Sequence, residues 1–236
     1  MTGFTRKVEP ERILVVYPEG TGRFKTRPLT WNVGHCCGHA LEKRVDDVGF
    51  ISALIDKLSA RYPVDPARIY VTGMSNGAMM SHRIGSELSP RIAAIAPVVG
   101  ALFGDEAPPT RAVSALMING LLDKSVPPQG GPTGGRSARA WDGMPARPNP
   151  EQGVYWARAN GCAAVPAQHE RGAVIQWTYR CPAGRGVEIH QIRDNGHAWP
   201  GGRPGRRRGD TPSTAVDATN LIWAFFKRHP KTEPPG

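Results

Sequence analysis

The chain has 236 residues, of which 30 are Lys or Arg against 20 Asp or Glu, giving a net charge of +10, with 39% hydrophobic residues, 28 glycines and 23 prolines. That length suits one α/β domain, 1–236, with a sizeable core of its own. No run of about 18 apolar residues occurs, which excludes a membrane-spanning helix, and the opening MTGFTRKVEPER shows no apolar stretch before a cleavage site.

Ile13 to Pro18, ILVVYP, is a continuous β-branched run and is predicted to be a strand buried on both faces. A polar, Gly-rich loop follows through TWNVGHCCGHA. Asp46 and Asp47 then open DDVGFISALIDKLSARY, where Val48, Ile51, Leu54, Ile55 and Leu58 keep helical spacing and the acids suit a helix N-terminus. VDPARIYVTG gives a turn and a second buried strand, and SNGAMMSHRIGSEL a helix. IAAIAPVVG is a third strand and SALMING, Ser114 to Gly120, a fourth. Pro127 to Pro150 is Gly, Pro and Arg with little periodicity, an expected excursion over the surface near the strand ends. GVYWARANG reads as helix, and VIQWTYR and VEIHQIR as strands. TPSTAVDATNLIWAFFKRHP reads as a C-terminal helix with a Thr/Ser cap region and apolar Ala215, Ala218, Leu221, Ile222 and Phe225. Strands alternating with helices predict a mostly parallel α/β sheet with helices on both faces. No internal repeat is visible.

Part of the positive charge is local: Arg203, Arg206, Arg207 and Arg208 fall in GGRPGRRRGD. We read this as a solvated loop. Its arginines are not interleaved with aromatic residues, so a platform for single-stranded nucleic acid is not expected.

VTGMSNGAMM, Val71 to Met80, sets Ser75 between Gly73 and Gly77, two positions to either side. A turn tight enough to exclude side chains at both glycines can push the serine hydroxyl outward. With ten serines and 28 glycines, GxSxG arises by chance about 0.14 times, so the motif alone is weak. Its context is stronger: it directly follows the strand RIYVTG and opens a helix, the setting of a nucleophile elbow, where helix amides favour a developing oxyanion.

A nucleophilic serine needs a base and an orienting acid. Of the seven histidines, His197 lies in DNGHAWPGG, a turn-rich loop after the strand VEIHQIR; His190 is inside that strand and reads as a packed or edge residue. Asp123 follows the strand SALMING, with Asp194 held in reserve as the acid. Ser75, Asp123 and His197 each occupy a loop after a strand, in the chain order expected of an α/β-hydrolase. In HCCGH, adjacent Cys36 and Cys37 chelate a metal awkwardly. The residues leave a vicinal disulfide open, or a bond from one cysteine to another partner. Cys162 and Cys181 flank VIQWTYR, as a disulfide of an oxidising compartment or as two free thiols.

WNVGHCCG, VDDVGFISALID, VDPARIYVTGMSNGAMM, AAIAPVVG, the acid loop before VPP and NGHAWPGG together resemble the extracellular poly(3-hydroxybutyrate) depolymerase-like esterases. That family includes feruloyl and acetylxylan esterases. The resemblance runs from about Ile13 to Pro230. It implies an α/β-hydrolase fold, Ser75 as nucleophile, Asp123 as acid, His197 as base and the Asn76 N–H as oxyanion donor. It also implies a Cys162–Cys181 bridge, a secreted origin, and Trp199 and Trp31 beside the acyl pocket. The implied substrates are feruloyl or short acyl esters on plant polysaccharide, with polyester depolymerisation or a non-catalytic binding fold as alternatives. No cofactor, metal or membrane partner is implied. The acid loop reads NGLLDKSVPP where the family commonly begins with His-Gly. Relatives also carry a strand before ILVVYP that donates a second oxyanion amide. That strand is expected to be absent here, leaving the chain a weak or unstable esterase.

Overall fold

A computed structural model describes residues 2–24, 29–132, 140–204 and 209–232. Arg206, Arg207 and Arg208 of the basic loop lie outside the described residues, as does the middle of the Pro127–Pro150 excursion; Arg203 is exposed.

The helices are α1 (Val8–Glu11), α2 (Gly38–Glu42), α3 (Asp47–Arg61), α4 (Asn76–Glu87), α5 (Asn149–Asn160) and α6 (Ala218–Arg228). The strands are β1 (Tyr70–Met74), β2 (Ala94–Val98), β3 (Ser114–Gly120), β4 (Ala167–Arg171), β5 (Val174–Tyr179) and β6 (Val187–Ile192). They form one six-stranded sheet in the order β1-β2-β3-β6-β5-β4. β1, β2, β3 and β6 run parallel, while β5 and β4 add an antiparallel edge.

Strand side chains alternate between two cores, as the period of two requires. Ile95, Ala115, Met117 and Ile189 face a core shared with Val48 and Ile51 of α3, Met79 and Ile84 of α4 and Trp156 of α5. Ala94, Ala96, Val98, Leu116 and Ile118 face the opposite core, closed by Ile222, Phe225 and Phe226 of α6. β2 and β3 are buried throughout, which is why they read as largely apolar runs. β4, AQHER, is exposed along its length and carries no apolar signal; the sequence reading missed it.

Two expectations are corrected. Ile13–Pro18 is not a strand. It runs alongside β1 across a groove of about 940 Å³ lined by Ile69, Tyr70, Val71, Leu54, Ile55 and Phe226, among others. Ile13 and Val15 pack on the α6 core, while Leu14, Val16 and Tyr17 are 51%, 41% and 59% exposed. A strand buried on both faces needs a partner on an edge, and among the described residues β1 pairs only with β2. The second correction is at α6. Its cap is Asp217, whose side chain accepts from Asn220 N–H, and the helix starts at Ala218 rather than in the Thr/Ser stretch.

Candidate active site

β1 delivers the chain into a tight turn at Ser75, and α4 leaves it at once. Ser75 has φ 58° and ψ −122°, an uncommon conformation for a residue with a side chain and one that costs roughly 1–3 kcal/mol. Its N–H donates to Val98 O at 3.0 Å, anchoring the turn to the end of β2. Gly73 is required here, because a Cβ on it would strike the Gly77 carbonyl. Gly77 is not: a Cβ there would meet nothing within 4 Å. The prediction that both glycines are sterically needed holds for the first and fails for the second. The elbow is closed by the approach of one backbone segment to the other, and one missing side chain suffices.

His197 stands in the loop after β6, with Nε2 2.8 Å from Ser75 Oγ and Nδ1 2.8 Å from Asp123 Oδ2. The Asp123 contact fixes the tautomer: Nδ1 carries its proton towards the carboxylate and Nε2 is free to accept from the serine hydroxyl. Asp123 is 4% exposed and sits in the turn after β3. Its Oδ1 accepts from the N–H groups of Ser125 and Val126, each at 2.8 Å. The three side chains come from the carboxyl ends of three parallel strands, where open α/β sheets place their chemistry.

Asp194 is turned away from His197. Its Oδ1 accepts from Ser213 Oγ at 2.7 Å. His190 is a buried residue of β6, with Nε2 3.3 Å from Glu188 Oε2.

Asn76 opens α4, so its N–H has no intrahelical acceptor and is available beside Ser75. Its side chain clasps the backbone of Trp31: Oδ1 accepts from Trp31 N–H at 2.7 Å and Nδ2 donates to Trp31 O at 3.0 Å. The next amide, Asn32 N–H, donates to Asp47 Oδ2 at 2.7 Å. The amides of Trp31 and Asn32 are thus both engaged by side chains. Asp47 is 2% exposed. Burial raises its pKa against the pull of the Asn32 hydrogen bond and of Arg83. The sequence assigned Asp47 only to the helix start; it also ties that helix to the loop facing the elbow.

Trp31 is partly buried and stacked on Phe50, ring centroids 6.3 Å apart. Trp199 is 1% exposed, and its indole N–H donates to Thr219 Oγ1 at 3.1 Å. It packs in the α6 core and lines the inner wall of the β1 groove. Cys36 and Cys37 are joined to each other, and Cys162 is joined to Cys181. His35, the first residue of HCCGH, has Nδ1 2.7 Å from Oδ2 of Asp142 in the excursion and Nε2 2.8 Å from Oδ2 of Asp105 in the loop between β2 and β3. Burial lowers the His35 pKa, but the two carboxylates outweigh it and hold the pKa above the ordinary value.

No protein-family profile matches the chain. It is 33% identical over 180 residues to feruloyl esterase B of Piromyces equi, covering 74% of this chain and 32% of that protein. It is 31% identical over 193 residues to the putative esterase NocK of Nocardia uniformis subsp. tsuyamanensis, covering 72% and 56%. The chain therefore spans from just under a third to just over half of these relatives' lengths. Among solved structures, an acetyl xylan esterase from Aspergillus awamori superposes with a TM-score of 0.52 at 13% identity, covering 77% of this chain and 67% of that one. That likeness shows the fold, an α/β-hydrolase sheet. The chain is a homologue of the esterases to which its motifs point, among them proteins named feruloyl esterase, acetylxylan esterase and poly(3-hydroxyalkanoate) depolymerase.

Proposed function

We propose that the protein is a serine carboxylic-ester hydrolase acting on feruloyl or short acyl esters, including those borne on plant polysaccharide. The observation that carries this reading is the unbroken relay from Ser75 Oγ through His197 to Asp123, with both contacts at 2.8 Å. His197 Nε2 takes the proton of Ser75 as its oxygen attacks the ester carbonyl. Asn76 N–H, at the N-terminus of α4, receives the developing oxyanion. His197 returns the proton to the leaving alcohol, and water then repeats the sequence to release the acid. Asp123 stays ionised and stabilises the imidazolium. Trp31, whose backbone the Asn76 side chain holds next to the nucleophile, is the proposed wall of the acyl pocket. The Cys162–Cys181 disulfide supports an extracellular setting.

Feruloyl and short acyl esters rank above polyesters because the match to a feruloyl esterase is longer and closer, 33% over 180 residues against 27% over 104 for the depolymerase. Hydrolysis of methyl ferulate beside p-nitrophenyl esters of increasing chain length and a poly(3-hydroxybutyrate) film tests this. Turnover of methyl ferulate or p-nitrophenyl acetate with an inert film is the expected result. Film clearing without turnover of either small ester would move the assignment to the depolymerase.

A further inference from the structure

His197 is the middle member of the relay, and its loop is irregular. A base on an irregular loop must be held to within a few tenths of an ångström to span hydroxyl and carboxylate at once. The atoms that hold it are side chains acting on its backbone. Asn195 is fully buried. Its Nδ2 donates to Gly196 O at 2.8 Å and to Ala198 O at 3.0 Å, the carbonyls on either side of His197. Its Oδ1 accepts from Ser213 N–H at 3.0 Å, tying the loop to the segment before α6. Its own carbonyl accepts from Leu122 N–H at 3.0 Å, one residue before Asp123. A single residue thus bonds the base loop by its side chain and the acid loop by its backbone. From the solvent side Asp210 Oδ2 accepts from His197 N–H at 2.6 Å.

We infer that Asn195 and Asp210 are positioning residues of the hydrolase, holding the His197 backbone so that its imidazole spans Ser75 and Asp123. The amide is suited to this. Both of its donors meet carbonyls and its oxygen accepts from Ser213, so every polar atom of the amide has a partner. An aspartate at 195 would turn an acceptor against two carbonyls, and alanine would leave them unpaired in a buried site. Neither side chain touches the reacting atoms, so each acts through the geometry of the base.

The inference rests on the triad reading, and one experiment separates the two. A fluorescent p-nitrophenyl phosphonate titrates active sites, and steady-state turnover of p-nitrophenyl acetate is then expressed per titrated site. Asn195→Asp, Asn195→Ala and Asp210→Ala are compared with the unaltered chain. Expected are a fall in kcat per site of about 10- to 100-fold at Asn195 and about 3- to 10-fold at Asp210. KM should stay within about twofold, and phosphonylation should slow by the same factors. Asp210 is exposed, so its variant folds even if both Asn195 variants do not. Fewer titratable sites with unchanged kcat per site would mean a purely structural role and overturn the inference. So would a rise in KM alone, or an Asp210→Ala protein with unaltered kcat and phosphonylation rate. Failure of the unaltered chain to take up any phosphonate would instead overturn the triad reading.

Discussion

The imidazole of His197 has a carboxylate on one nitrogen and a hydroxyl on the other, and a second carboxylate three residues away does not compete for it. Asp194 is occupied by Ser213, whereas Asp123 is buried and points at Nδ1. Asp123→Asn should lower ester turnover by on the order of 10³–10⁴-fold, and Asp194→Asn by less than about threefold, because an amide still accepts from Ser213. The reverse pattern in steady-state rates would make Asp194 the acid. Elsewhere, His82 is fully buried: Trp156 Nε1–H donates to its Nδ1 at 2.9 Å, and its Nε2 is 3.1 Å from Gln152 Oε1. Burial pushes its pKa down to about 4. In the unfolded chain it protonates near pH 6.5, so between those values the unfolded state binds more protons and stability is lost as the pH falls. The loss amounts to about 3 kcal/mol from this one group. Urea melts at pH 7 and pH 4.5 should show His82→Gln less stable than the unaltered chain at pH 7 but with a shallower acid slope. An unchanged slope would remove His82 as its source. Of these roles, the sequence disclosed those that follow a strand end and carry reactive chemistry. Asn195 and Asp47 stayed hidden, because what they hold is backbone brought close only by the fold.

At the scale of elements, the elbow makes a sharp forecast. Gly73→Ala drives a Cβ into the Gly77 carbonyl and should abolish activity or folding. Gly77→Ala meets open space and should hold or raise stability by about 0.5–1 kcal/mol, since alanine is the better helix residue. Melting curves of the two variants decide it; equal damage at both positions would show that the turn is tighter than described. The Cys162–Cys181 bridge, with 19 residues of separation, ties the second residue past α5 to the segment after β5. By loop entropy it contributes about 3 kcal/mol, so Cys162→Ala/Cys181→Ala should lose that much in denaturant melts, and a loss near zero would count against the bridge. β2 and β3 were legible because burial on both faces forces a largely apolar run; β1, expected to be buried as well, is only half-buried along its length. The same signal misled at Ile13–Pro18. There the residues alternate, Ile13 and Val15 inward and Leu14 and Val16 outward, but all are apolar, so alternation left no trace in the text. β4 failed for the opposite reason, being polar and exposed.

For the whole molecule, the sheet order makes the chemistry local. β1 and β3 flank β2, and β6 lies beyond β3, so the loops carrying Ser75, Asp123 and His197 meet at one end of the parallel strands. Residues far apart in the chain come within hydrogen-bond reach of one another, and these are the three side chains proposed above as nucleophile, base and acid. The direct test is covalent. Incubating the folded protein with a p-nitrophenyl alkylphosphonate and mapping the modified peptide should place one adduct on Ser75. Ser75→Ala should abolish both adduct and ester turnover while keeping the circular dichroism spectrum, and His197→Ala should slow labelling by several orders of magnitude. Ester turnover that survives Ser75→Ala, or an adduct on another residue of the folded protein, would contradict the account.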